Sequence, residues 1–235
     1  MNTKNYWKDI DLKLSELISN GAVKLPSLKL FDLESLADDI SNEMGSSTFK
    51  ELCSSHKKFL DILGIKEYLT PKLINIAQNI YNFKGNLNNQ YHIARKVEPG
   101  NSKEMYRAHF DSHIFTLVLP IKIPNSTKQN HSGQLLYFPN ARKNPKTEIA
   151  NFIGKAFHKR YASKEGIEKV SDKYKKIIDD FNDYKPLLFI GKTTLHTNYP
   201  VSVDCSSYRL TLLSHFFDDS PKYGIGGLMR FIRNR

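Results

Sequence analysis

Cysteine is scarce in this chain: Cys53 and Cys205 are the only two among 235 residues. Two cysteines make neither a disulfide framework nor a four-cysteine zinc site. A reducing, cytoplasmic setting is therefore the expectation. Long apolar runs are missing too. The longest, Ile114–Ile121 and Leu187–Ile190, fall well short of the ~20 residues that cross a bilayer. The opening residues MNTKNYWKDID lack the apolar stretch of a secretory signal. Internal repeats and low-complexity segments are also absent. What remains is 40% hydrophobic and 11% aromatic, enough for one large core with a helical annex.

Acidic residues are in deficit, with 24 Asp and Glu against 35 Lys and Arg, a net charge of +11. Residues 142–176 hold eleven Lys/Arg against four Asp/Glu, and the tail 219–235 holds four against one. Such a field favours an anionic partner: an acidic or phosphorylated small-molecule substrate, a membrane surface or nucleic acid. A solvated helix face would show the same composition. No nucleic-acid module is recognisable, so nucleic acid is not expected as a partner. In the tail, Leu228, Met229, Phe231 and Ile232 alternate with three arginines. That suits a short amphipathic helix, docked on its own core or touching an anionic membrane face.

The first 87 residues read as a helical layer. Helices are expected over Tyr6–Ile18, Asp32–Met44, Ser47–Leu63 with Ser47 as N-cap, and from Thr70-Pro71 to about Phe83. From residue 88 to 218 short strands dominate: Gln90–Val97, Met105–Phe110, Ile114–Ile123, Gln134–Phe138, Leu187–Leu195 and Arg209–Phe217. Turn residues separate them, as in a sandwich or barrel. Residues 146–182 interrupt with two expected helices, Glu148–Arg160 and Lys164–Phe181. Inserts of that length often form a lid or binding surface. The basic tail 219–235 follows.

Against this background three motifs stand in order: His109-Phe110-Asp111, then His196, then Arg209-Leu210-Thr211. Residues two apart on a strand face the same side, so His109 and Asp111 can reach one ion. Two histidines and a carboxylate form a three-point face for ferrous iron and leave positions open. Asp111-x-His113 offers the same spacing, so His113 is a rival ligand. His56, His92, His131, His158 and His215 have no matching partner and read as surface or core-edge residues. Arg209 offers a planar fork for a carboxylate, and Thr211 faces the same way. Pairing of Arg209 with a protein acid such as Asp204 is the alternative.

This ordered set, spanning roughly residues 88–218, resembles the Fe(II)/2-oxoglutarate-dependent oxygenases, the superfamily of phytanoyl-CoA and prolyl hydroxylases. The resemblance implies a mainly β fold with helices. Its core would be a double-stranded β-helix, that is, a cupin-like jelly roll, with the helical layer packed on one sheet. It implies His109, Asp111 and His196 as iron ligands and favours His109 over His113. It implies Arg209 and Thr211 as the seat of 2-oxoglutarate, and Tyr91 and Thr116 are candidates for further hydrogen bonds to it. Iron, 2-oxoglutarate and O2 would together oxidise an organic substrate with release of succinate and CO2. A carboxylate at Asp111, where halogenating relatives carry a small residue, points to hydroxylation. Substrates to expect are carrier-linked acyl groups or phosphorylated or acidic saccharides, with protein prolyl or lysyl hydroxylation as a competitor. Enzymes of the alkylation-repair type carry a second arginine after the first on the last strand, and none follows Arg209 there. A cupin-like binding protein without turnover, and a basic protein whose insert and tail contact nucleic acid or lipid, are the non-enzymatic alternatives.

Overall fold

The computed structural model describes residues 3–101, 105–126, 131–145 and 161–218. The expected helix at Glu148–Arg160 and the basic tail lie outside them. Among the described residues, no helix is long and apolar enough to cross a membrane.

Among the described residues, nine strands form two antiparallel sheets: β1 (Ala22–Lys24), β2 (Phe49–Glu51), β3 (Gln90–Val97), β4 (His113–Lys122), β5 (Leu135–Phe138), β6 (Ile177–Asp179), β7 (Leu187–Ile190), β8 (Leu195–Asn198) and β9 (Arg209–Asp218). The major sheet runs β1-β7-β4-β9-β3-β2, and the minor sheet β6-β5-β8. Alternation along the middle of the strands makes this a sandwich. On β4 and β9, Phe115, Leu117, Leu119, Leu210, Leu212 and Phe216 pack into a core shared with the helices, while Val118 and Leu213 face the minor sheet. With Leu187 and Phe189 of the major sheet they meet Leu135 and Tyr137 of the minor sheet. A strand covered on both faces reads as a continuous apolar run, as β4 does. This is the jelly-roll architecture expected from the sequence.

Helices α1 (Thr3–Tyr6), α2 (Ile10–Asn20), α3 (Leu33–Met44), α4 (Ser54–Leu63) and α5 (Thr70–Asn79) supply the helical side of the larger core. α3 starts where expected, because the Asp32 side chain caps Ser35 N–H at 3.1 Å. Other boundaries differ. The first helix breaks after Tyr6, and Trp7 donates its indole N–H to the Leu63 carbonyl at 2.7 Å. Residues 49–51 form β2, paired with β3, rather than the start of a helix at Ser47. α4 instead begins at Ser54, whose backbone N–H is capped by Glu43 from α3 at 2.7 Å. A π-helical turn, Ile65–Leu69, leads into α5.

Within the insert, α6 (Lys164–Ser171) is capped by Ser163. It stops well before Phe181. Residues 177–179 are β6, bonded to β5, so this part of the insert belongs to the minor sheet. α6 places Ile167 and Val170 against Leu136, Phe138 and Leu195 on the outer face of that sheet.

Candidate metal centre

The centre is assembled where the chain crosses between sheets. The segment PLLFIGKTTLH, expected as one strand, breaks after Ile190. Thr193 and Thr194 N–H groups donate back to the Ile190 carbonyl at 3.2 and 3.0 Å. The turn moves the chain from β7 in the major sheet to β8 in the minor sheet and carries His196 with it. Residues 105–110 also differ from the expected strand. Tyr106 has φ 53°, which interrupts extended pairing. Only His109 bridges, and it exchanges both backbone bonds with His196, at 3.0 and 3.1 Å. Two residues on, the Asp111 N–H donates to the Gly191 carbonyl at 3.0 Å. Phe110 points the other way, buried in the outer core with the Arg142 guanidinium 4.0 Å over its ring. That anchor holds His109 and Asp111 on the inner side.

His109, Asp111 and His196 bring one ligand atom each within 4.8 Å of one another. Both imidazoles are oriented from behind. His109 Nδ1 lies 2.7 Å from the Arg107 carbonyl, and His196 Nδ1 lies 3.2 Å from the Thr194 carbonyl. A carbonyl only accepts, so each Nδ1 carries the proton and each Nε2 presents a lone pair. Both Nε2 atoms sit 3.7 Å from Asp111 Oδ1. Three lone pairs thus converge with no proton between them, an arrangement that a cation relieves.

The electrostatics favour the ligating forms. Confinement in the cleft, and His196 beside it, lower His109 to about 4, although 52% of its side chain remains open to solvent. Burial alone would raise Asp111, but His196, His215, His109 and the Thr116 hydroxyl outweigh it and hold the carboxyl below its usual range. Donor set and geometry therefore fit an iron site of the two-histidine, one-carboxylate kind.

Thr116 donates to Asp111 Oδ2 at 2.5 Å. Its one proton being spent, it accepts from His215 Nδ1, at 3.0 Å. His215 is buried, 3.7 Å from Asp111 Oδ2, and far closer to the centre than a core-edge residue. Its place on the face of Arg209 and Thr211 follows from strand alternation, a signal available in the sequence. Tyr91 lies directly opposite His215 in the β3–β9 register. Its ring stacks on His215 at 6.1 Å and on His113 at 6.5 Å. His113 belongs to this stack and lies outside the three-residue group.

Arg209 is 4% exposed, one turn of the alternation beyond Thr211 on the wall facing the minor sheet. Its Nη1 donates to the Gly133 carbonyl and, at 2.9 Å, to Asn198 Oδ1. Gly133 fits closely, since a Cβ there would meet Arg209 Cδ at 2.9 Å. Asp204 bonds Ser126 instead, at 3.0 Å, and no carboxylate among the described residues pairs with Arg209. Its Nε is buried without a partner. Burial, and then the nearby Arg95, lower the Arg209 pKa to about 9. A buried guanidinium with an unsatisfied N–H is a receptor for an oxyanion.

No protein-family model matches the sequence, and no curated protein matches it. Solved structures do resemble the fold. A prolyl-4-hydroxylase from Pseudomonas putida is 13% identical with a TM-score of 0.53, over 89% of this chain and 98% of that one. A prolyl 4-hydroxylase from Phytophthora capsici is 11% identical with a TM-score of 0.57, over 99% and 73%. The non-heme alpha-ketoglutarate-dependent carbocyclase SnoK of nogalamycin biosynthesis is 12% identical with a TM-score of 0.55, over 98% and 93%. The chain therefore has the fold of the Fe(II)/2-oxoglutarate oxygenases, with a His-Asp-His group that fits iron set into it.

Proposed function

We propose that this protein is an Fe(II)- and 2-oxoglutarate-dependent oxygenase that hydroxylates an anionic organic substrate, using O2 and releasing succinate and CO2. The observation that carries this reading is the convergence of the His109 and His196 Nε2 lone pairs on Asp111 Oδ1, each at 3.7 Å. His109, Asp111 and His196 would hold the iron. Arg209 would take the far carboxylate of 2-oxoglutarate, with Thr211 and Tyr91 as hydrogen-bonding neighbours on the same wall. The bound iron and 2-oxoglutarate supply the oxidising chemistry. The chain's contribution is orientation and exclusion of water. Arg107 and Thr194 carbonyls aim the imidazoles, Thr116 aims the carboxylate, and the Phe189 ring, 4.9 Å from His196, closes the inner side.

A second reading, hydroxylation of prolyl residues in a polypeptide, draws support from the two prolyl-4-hydroxylases that share the fold. The test of the cofactor chemistry is anaerobic titration with Fe(II) and 2-oxoglutarate, watched for the visible charge-transfer band of the chelate. The band should form in the wild type and vanish in Asp111→Ala. No band, with no bound iron, overturns the oxygenase reading in favour of a cupin-like binding protein. Succinate release stimulated by prolyl peptides but not by acidic small molecules would favour the second reading.

A further inference from the structure

Arg209 is not alone on its wall. Alternation along β3 puts Arg95 on the same face as Tyr91, turned toward the minor sheet, while Ala94 faces the helices. The β3–β9 register sets Arg95 opposite Thr211, one row from Arg209 and two rows from the Tyr91–His215 pair that borders Asp111. A row is about 7 Å along a strand, a distance an arginine side chain spans. Arg107 lies two residues before His109, whose Nδ1 its carbonyl holds, and its charge is felt at Arg95. Access differs among the three. Arg209 is closed off, Arg95 is half-buried and Arg107 is exposed.

The charges feel one another. Burial and then Arg107 lower the Arg95 pKa, while Asp111 pulls it back up. Arg95 in turn lowers Arg209 and His215. Guanidinium groups gathered at one mouth repel, and an oxyanion lying between them converts that repulsion into charge-assisted hydrogen bonding. Arg209, with its unpartnered Nε, suffices for one carboxylate. A second guanidinium one row nearer the metal ligands is placed for a different anion.

We propose that Arg95, with Arg107 at the mouth of the cleft, receives an oxyanion of the primary substrate, a carboxylate or a phosphate ester. This rests on the oxygenase reading, in which Arg209 serves the co-substrate. It places substrate recognition inside the cleft, independently of the basic insert and tail.

The experiment is anaerobic calorimetry on the protein loaded with Fe(II) and 2-oxoglutarate, with sulfate and acetate as probes. Wild type should bind at least one of them. Arg95→Gln should weaken that binding about tenfold or more, with Arg95→Lys recovering part of it. The affinity of Arg95→Gln for 2-oxoglutarate should stay within about threefold of wild type, whereas Arg209→Gln should lose it. Preference for sulfate assigns a phosphate ester, and binding of acetate alone assigns a carboxylate. Unchanged probe binding in Arg95→Gln, or none in wild type, overturns the proposal. So does a loss of 2-oxoglutarate affinity equal to that of Arg209→Gln, which would place Arg95 in the co-substrate site. If the protein takes up neither iron nor 2-oxoglutarate, the oxygenase reading fails by itself. The same probes titrated into the metal-free protein then decide for or against an anion receptor at Arg95.

Discussion

Thr116 donates its hydroxyl proton to Asp111 Oδ2 at 2.5 Å, and so decides which carboxylate oxygen is left to face the two histidines. Oδ1 is the one left, 3.7 Å from each Nε2. Thr116→Val removes the donor with little change in shape, and Asp111 can then rotate. Metal affinity should fall about 10- to 100-fold, the usual consequence of losing an outer hydrogen bond to a ligand, with Thr116→Ser close to wild type. Fe(II) or Co(II) titration measures it, and unchanged affinity in Thr116→Val would show that Asp111 is held by packing alone.

Gly191 sets the other side of Asp111. A Cβ on it would meet the His113 carbonyl at 2.8 Å and Asp111 Cβ at 2.9 Å, both fixed by the backbone bonds that tie Asp111 and Ile114 to Gly191. Gly191→Ala should therefore spread the two segments, costing about 1–3 kcal/mol of stability and at least as much metal affinity as Thr116→Val. Denaturant melts paired with metal titration test this. A variant with wild-type values in both would mean that the turn after β7 yields without moving the ligand.

Much of this was readable in the sequence, and the misses share a cause. Spacing places His109 and Asp111 on one side of a strand, and short strands between turns point to a sandwich or barrel, which the family resemblance narrows to a jelly roll. PLLFIGKTTLH looked like a single strand because its apolar run outweighed Gly191, yet that glycine marks the close approach where the chain changes sheets. Thr116 is a candidate for a 2-oxoglutarate contact by its face, but alternation fixes a face and not a partner, and its hydroxyl goes to Asp111. His215 does not read as a site residue, because no residue near it in sequence repeats a ligand spacing. Its neighbours come from β3 and β4, through register that sequence alone does not supply. Residues 177–179 read as the end of a helix, Lys164–Phe181, while pairing with β5 makes them a strand.

Arg209 should separate co-substrate binding from metal binding. Arg209→Gln removes the charged fork, and loss of a charge-assisted contact of this kind is worth about 2–3 kcal/mol, a rise of about 30- to 150-fold in the 2-oxoglutarate concentration required. Iron affinity should change little, since Arg209 lies rows away from the triad on β9. Anaerobic titrations of each component measure both quantities. An equal loss of iron would make Arg209 a structural residue whose removal collapses the cleft.

Acid should destabilise the protein through His56, independently of metal. His56 is fully buried, neither ring nitrogen has a partner, and its ring stands edge to face with His92 at 6.2 Å. Burial, with His92 as the second cause, lowers its pKa to about 3. The folded pKa lies below the ordinary value of about 6.5, so the unfolded chain takes up the proton first as pH falls. Stability is then complete above pH 6.5 and is lost progressively toward pH 3. At pH 4.5 the loss from His56 amounts to about 2–3 kcal/mol. His92, lowered to about 4 by burial and by His215, acts with the same sign. Urea melts of metal-free protein at pH 7 and pH 4.5 should show this loss. His56→Phe, which keeps a ring and gives up no hydrogen bond, should remove most of its share. If the pH 4.5 loss persists in full in His56→Phe, the titrating group lies elsewhere.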